Sequence, residues 1–407
     1  MNQFSPTRSD PMLQPISSPI ERIALYSAVD DTLTHFEVHP ETGALTQHGS
    51  ITIKAKVQYA WKHPQLPRLY VSSSNGGPHK VSDCNHVSAF TIECDGSLTP
   101  LGQDAVLDRR AVHMCIDPSG RFAINAHNYP VCGLSVHALN QDGLIQEKLP
   151  EVSHLQYGIY PHQVMTFPSG QHVMIVDRGN KASADKPEEP GALRTYRFDN
   201  GILSQAQVVA PNGGFGFGPR HVSFHPKAPW VYVCDERFNR LYMFRFKDDQ
   251  LEHQAAYSQE ILMQPNLVRP RQIAGPIHVH PKGHVVYVAN RSDHSIEENG
   301  VNVFNGGENN IAVYQINPES GRPDLIQHID TQSFHVRTFA IDPNGRFLIT
   351  ASIKPLSIKK EGGLEVIPAR LTVFRILVDG QLEFLSTHDI ATTGHQMQYW
   401  VGMANTV

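Results

Sequence analysis

GPRHVSFHPKAPWVYVCDE, residues 218–236, contains two short apolar runs, a His-Pro turn between them, a basic entrance and an acidic exit. Alternating apolar and polar positions rich in Val, Phe, Trp and Tyr, bounded by turn residues, read as a β-hairpin. Gly218 to His221 and Asp235-Glu236 are then the two ends of one hairpin, and they emerge side by side.

The same phrase recurs along the chain. YAWKHPQLPRLYVSSSN, HMCIDPSGRFAINAHN, HQVMTFPSGQHVMIVDRG, IHVHPKGHVVYVANRS and FAIDPNGRFLITASI bring the copies to six, with turn prolines at Pro64, Pro118, Pro168, Pro226, Pro281 and Pro343. These are separated by 54, 50, 58, 55 and 62 residues. A second phrase, strand, Gly/Asp/Asn turn, strand, alternates with the first and occurs seven times, from HFEVHPETGALTQHG to FRILVDGQLEFLSTH. A four-stranded unit repeated about every 50 residues is the pattern of a β-propeller, whose blades bury their faces against one another. Seven second halves predict seven blades of four antiparallel strands. The missing first half is assembled from both ends, HQMQYWVGMA (395–404) and ERIALYSA (21–28), which closes the ring and removes exposed sheet edges. The expected organisation is a flexible arm over residues 1–20 and one propeller domain over 21–407.

Composition excludes several function classes. The 34 basic and 39 acidic side chains give a net charge of −5 with no basic run, which argues against nucleic acid as a partner. No apolar run approaches ~20 residues, so no membrane span is expected. Five cysteines without a CxxC pair read as reduced thiols of a cytoplasmic protein. No Gly-rich loop joins a strand to a helix, so no nucleotide cofactor is expected. Among the 23 histidines the one HxH pair is His278 and His280, and His280 sits in the turn position occupied elsewhere by His63 and His225, so no metal site is expected either.

In a four-stranded blade with strands A to D counted from the channel outward, the short A–B and C–D turns share one face. The B–C loops and D–A connections share the other, and they carry the long insertions at 178–191, 291–310 and 354–369. Strand A entries and strand B exits open onto that second face. The entries are His113, His162, Arg220 with His221, His278, His335 with Arg337, and Gln398; the exits include Asn75, His127 with Asn128, Asp177 with Arg178, Asp235 with Glu236, and Asn290 with Arg291. A rim of His, Arg and a few carboxylates suits acid/base work on an anionic, oxygen-rich small molecule. The plainer reading is that these residues satisfy strand ends, with Glu236 in a rim ion pair to Arg237 or Arg240.

The phrases GPRHVSFHP, VYVCDE, GPIHVHPKGHVVYVANR and HVRTFAIDPNGRFLITAS, in this order and at blade spacing, resemble the lactonase family of seven-bladed propellers, which includes 6-phosphogluconolactonase-like and carboxymuconate lactonizing enzyme-like proteins. The resemblance implies a metal-independent lactonase with a catalytic set of His162, Arg220 and Glu236. Arg220 would polarise the lactone carbonyl or hold an acidic substituent, Glu236 would activate water or set the protonation of His162, and His162 would pass a proton to the ring oxygen. His278, Arg291, Arg337, His127 and Asn75 are expected to contact the substrate. One departure is Val336 where the family has proline before the arginine. A cycloisomerase that closes a muconate-like acid would use the same residues, and a non-catalytic propeller presenting its rim to a protein is a third reading. The Gly-, Asn- and charge-rich rim loops favour a small molecule.

Overall fold

The computed structural model describes residues 22–406 except 153 and 268. The expected N-terminal arm lies outside these residues. The described residues form seven antiparallel blades of four strands, the outermost strand of blades 2 and 5 being broken in two. Blade 1 runs, from the channel outward, Gln398–Thr406, Arg22–Val29, Thr32–Val38 and Leu45–Thr52, so the C-terminal strand pairs with the N-terminal one as the sequence predicts. The inner strands A of blades 2 to 7 are Val57–Lys62, Ala111–Ile116, Pro161–Thr166, Pro219–Phe224, Ile273–Val279 and Val336–Ile341. Each strand A packs against the A strands of both neighbouring blades, which closes a ring. Among the described residues no helix is long and apolar enough to cross a membrane, and all five cysteines are free thiols.

The period-2 pattern has a direct consequence for packing. In strand B of blade 6, Val285, Tyr287 and Ala289 pack toward blade 7, while Val286 and Val288 pack toward blade 5. Strands buried on both faces need near-continuous apolar runs, which is how VVYVA and WVYV read. One hydrophobic cluster fills each interface between adjacent blades, including the interface of blades 7 and 1 that joins the two ends of the chain.

Two sets of polar latches hold neighbouring blades together on the face of the A–B and C–D turns. His63, His225 and His280, each preceding the turn proline, place Nε2 at 3.0, 2.8 and 2.9 Å from the carbonyls of Gly120, Gly283 and Gly345 in the next blade's A–B turn. Tyr26, Tyr70, Tyr232 and Tyr287 on strands B donate from their hydroxyls to Gly96, Gly143, Gly321 and Gly380 in the next blade's C–D turn. Gly380 has φ of 87° and an added Cβ would meet Val285, so glycine is required there on both counts. His280 is thus committed to the fold. Tyr287→Phe is expected to cost about 1–2 kcal/mol in urea unfolding, because a buried carbonyl loses its donor. Turnover should stay unchanged, since this latch lies on the face opposite the strand A entries.

The insertions in the B–C loops of blades 6 and 7 fold together. Hairpins Ser295–Glu298/Val301–Phe304 and Leu356–Lys360/Gly363–Ile367 join through a parallel pairing of Val303 with Ser357 into a separate four-stranded sheet. Its roots are tied at buried Asp293, which meets Lys354 at 3.2 Å, Arg271 at 2.9 Å and His335 Nδ1 at 3.2 Å.

Candidate active site

Every strand A carries an irregularity at the same register. Pairing with strand B skips Gln58 in blade 2, Val112 in blade 3, His162 in blade 4, Arg220 in blade 5, Arg337 in blade 7 and Tyr399 in blade 1, and in blade 6 it skips Gly275-Pro276. A β-bulge re-aims the extra side chain and bends the strand, and bulges gather next to active sites. The seven bulges form a ring at the strand A entries, and four of them present His162, Arg220, Arg337 and Tyr399. Arg337 takes the same bulge as Arg220 although Val336 replaces proline, so that departure from the family phrase leaves its backbone geometry intact.

Strand B exits supply the opposing groups from a second shared register. The last paired residues Asp177 and Asp235 turn inward and bind backbone. Asp177 accepts from the amides of Ile159 and Tyr160, and Asp235 from those of Gly218, Arg237 and Phe238. Burial pushes the Asp235 carboxyl up to about 6 against those three donors. In CDE, therefore, the aspartate ties down the GPRH connection and only the next residue faces the entries. That next residue is Arg178 in blade 4 and Glu236 in blade 5; blade 6 contributes Arg291 from the end of its strand B.

These groups converge. Glu236 Oε1 lies 3.0 Å from Arg220 Nε and 2.5 Å from Arg291 Nη2, and its Oε2 lies 3.1 Å from Arg178 Nη1. Burial raises the Glu236 carboxyl, yet Arg291, Arg220 and Arg178 outweigh it and bring its pKa down to about 2. Arg237 and Arg240 do not form the expected rim pair with Glu236: Arg237 binds Glu188 and the carbonyls of Asn180 and Phe217, and Arg240 binds Glu260. Arg220 is 1 % exposed; burial and the charge of Arg291 pull its guanidinium well below the ordinary arginine value, with Glu236 opposing. Arg178 also stacks 4.2 Å over the Tyr160 ring.

Burial holds the histidines beside this cluster, His162, His221 and His113, well below the usual imidazole range. At His162 the charges of Arg220, Arg178 and Arg337 add to burial in the same direction. His162 and His221 lie 5.1 Å apart between ring centres, and His221 and His113 lie 5.8 Å apart. Arg220 Nη1 donates a hydrogen bond to His221 Nδ1 at 3.1 Å. His278, brought down to about 4 by burial, lies edge-on to Phe339 and lines a channel cavity of about 240 Å³ with Tyr59, Trp61 and Trp400.

Two residues expected to contact the substrate have their polar atoms engaged locally. Both ring nitrogens of His127 are already used, 3.0 Å from the Arg110 carbonyl and 2.9 Å from Ser135 Oγ, inside a buried strand pair. Asn75 spends its side chain within its own loop, on Asp83 and the Cys84 amide. Strand-end polarity selects both residues in the sequence, but their local partners take up the polar atoms. In the sequence Arg178 stands among the strand B exits with no role assigned, although it shares the register of Glu236 and Arg291, and Tyr399, next to Gln398, is passed over.

Comparison with known proteins gives this ring a family. The 6-phosphogluconolactonase of Bacillus subtilis is 26 % identical over 303 residues, 70 % of this chain and 78 % of that protein, and that of Pectobacterium atrosepticum is 25 % identical over 321 residues, 78 % and 83 % of the two chains. The fold matches the periplasmic gluconolactonase PpgL of Pseudomonas aeruginosa at a TM-score of 0.67 and 17 % identity, covering 91 % of this chain and 98 % of that one. It also matches a putative 6-phosphogluconolactonase of Bacteroides fragilis at 0.67 and 15 % identity, covering 96 % and 99 %. The family model described as Lactonase, 7-bladed beta-propeller, matches residues 23–357, and the chain belongs to that family.

Proposed function

We propose that the protein hydrolyses the lactone of an acidic sugar or organic acid, in the manner the 6-phosphogluconolactonase relatives' name describes, at the ring of strand A bulges. The observation that carries this reading is the excess of positive charge: Arg178, Arg220 and Arg291 surround one carboxylate, and the charge of Arg337 reaches the same place. Such a site favours an anionic ligand. It disfavours a bound cation among its imidazoles, and arginine charge takes over the polarising role a metal would serve.

Arg220, set by its bulge, polarises the lactone carbonyl, while Arg178 and Arg291 take an acidic substituent. Guanidiniums drawn onto the substrate loosen their hold on Glu236, and its pKa climbs from about 2 toward the range of a working base. Glu236 then removes a proton from water as the oxygen attacks the carbonyl carbon. Neutral His162 accepts a hydrogen bond from that water and orients it, a role that suits a depressed imidazole better than donating a proton. The free thiols fit a reducing compartment such as the cytoplasm.

A pH-indicator assay against aldono-lactones with and without a phosphate or carboxylate substituent tests the reading. Acid release is expected, faster for the anionic lactones and unchanged by EDTA. Both candidate bases in the free enzyme titrate below the neutral range, so kcat/KM should show no acid limb between pH 5 and 7, whereas kcat should show one at higher pH than kcat/KM does. A limb near pH 6.5 in kcat/KM would sink the assignment. Ring closure of a muconate without lactone hydrolysis would assign the site to cycloisomerisation instead.

A further inference from the structure

We propose that Tyr399 is the general acid of this site, donating its phenolic proton to the ring oxygen as the lactone C–O bond breaks. The inference rests on the lactonase reading and supplies the proton donor that neutral imidazoles and guanidiniums leave open.

Tyr399 occupies in blade 1 the bulge that presents His162 in blade 4, Arg220 in blade 5 and Arg337 in blade 7. It is half-buried and is the one hydroxyl-bearing residue among the bulge positions. The Arg337 guanidinium carbon lies 3.7 Å from its ring centre. Blade 3 contributes the next cation, Arg110, at the entry to its strand A, where Nε donates to Gln58 Oε1 at 2.7 Å. Burial raises the Tyr399 phenol, but Arg337, Arg110 and Arg220 prevail and lower it below the ordinary tyrosine value. Tyr59 in the adjoining blade shows the contrast, pushed up to about 12 by burial with Arg220 and Arg337 only partly offsetting it. A phenol whose anion is stabilised by several guanidiniums gives up its proton to an alkoxide readily. Tyr399 also lies beyond residues 23–357 that the family model matches, on the strand closing the ring.

The step balances. Water adds to the carbonyl carbon and its proton goes to Glu236; the C–O bond breaks with its electron pair on the ring oxygen; that oxygen takes the Tyr399 proton. The product is the open hydroxy acid, and Glu236-H returns its proton to the phenolate through solvent.

The test compares wild type and Tyr399→Phe on an aliphatic lactone, which leaves as an alkoxide, and on dihydrocoumarin, which leaves as a phenolate needing little protonation. Loss of a general acid should lower kcat on the aliphatic lactone by about 10²–10³-fold and leave the aryl lactone within a few fold. Equal loss on both, or no loss on either, would overturn the assignment. Wild type inert on both lactones would remove the lactonase reading and this one with it, which separates the two failures. An activity-independent readout is the tyrosinate ultraviolet spectrum. Among the 13 tyrosines one should ionise ahead of the rest in wild type and be missing from Tyr399→Phe; absence of that early step in wild type would also overturn the proposal.

Discussion

Replacing Glu236 by glutamine is expected to stop turnover and to loosen the fold together. Glutamine keeps the shape but cannot take the proton from water, and loss of a general base lowers kcat by about 10²–10⁴-fold. The same change leaves Arg178, Arg220 and Arg291 facing one another without the carboxylate that binds all three. Removing one partner from a buried ionic cluster typically costs about 3–5 kcal/mol, so the variant should melt several degrees lower. The sign of the pH dependence follows from the depressed carboxyl. Its stabilisation is full above the usual carboxylate range and is lost as pH falls toward about 2, so the gap in Tm between wild type and Glu236→Gln should narrow on acidification. Calorimetry across pH 3 to 7 alongside the lactone assay checks both parts. A variant that melts with wild type would show that the three arginines do not depend on this carboxylate.

Arg220→Ala is expected to lower kcat by about 10²–10³-fold, the usual loss when one donor to a developing oxyanion is removed. Arg220→Lys is the sharper variant. An ammonium restores the charge but not the planar fork that meets Glu236 through Nε and His221 through Nη1. Lysine should therefore recover less than a tenth of the lost rate, while KM for an anionic lactone moves little because Arg178, Arg291 and Arg337 remain. Near wild-type turnover in Arg220→Lys would mean that the position contributes charge alone and that another group polarises the carbonyl. Steady-state kinetics on one phosphorylated and one neutral lactone separate these outcomes.

The sequence alone determined the blade count, the closure of blade 1 by both termini, and which ends of each hairpin share a rim. The blade count and the shared rims rest on local signals, two-residue periodicity and Pro/Gly turns, repeated with turn prolines 50 to 62 residues apart, and the closure follows from the strands left unmatched at the two ends. The sequence also placed the Gly218–His221 and Asp235–Glu236 ends side by side, because one antiparallel hairpin brings its own ends together. Only the tertiary structure decided the rest. Whether Asp235 or Glu236 faces the site depends on which side chain the Gly218 amide captures. His127 and Asn75 read like the other rim residues in the sequence, and only the structure shows that Ser135, the Arg110 carbonyl, Asp83 and the Cys84 amide engage them locally. Arg178 and Arg291 lie 58 and 55 residues from Glu236, and Tyr399 meets Arg337 across the interface of blades 7 and 1. The insertions pair with each other for the same reason, since Val303 and Ser357 belong to different blades. The repeats dictate each blade, while the charge on Glu236 and the company of Tyr399 arise from groups that only ring closure and the shared bulges bring within reach.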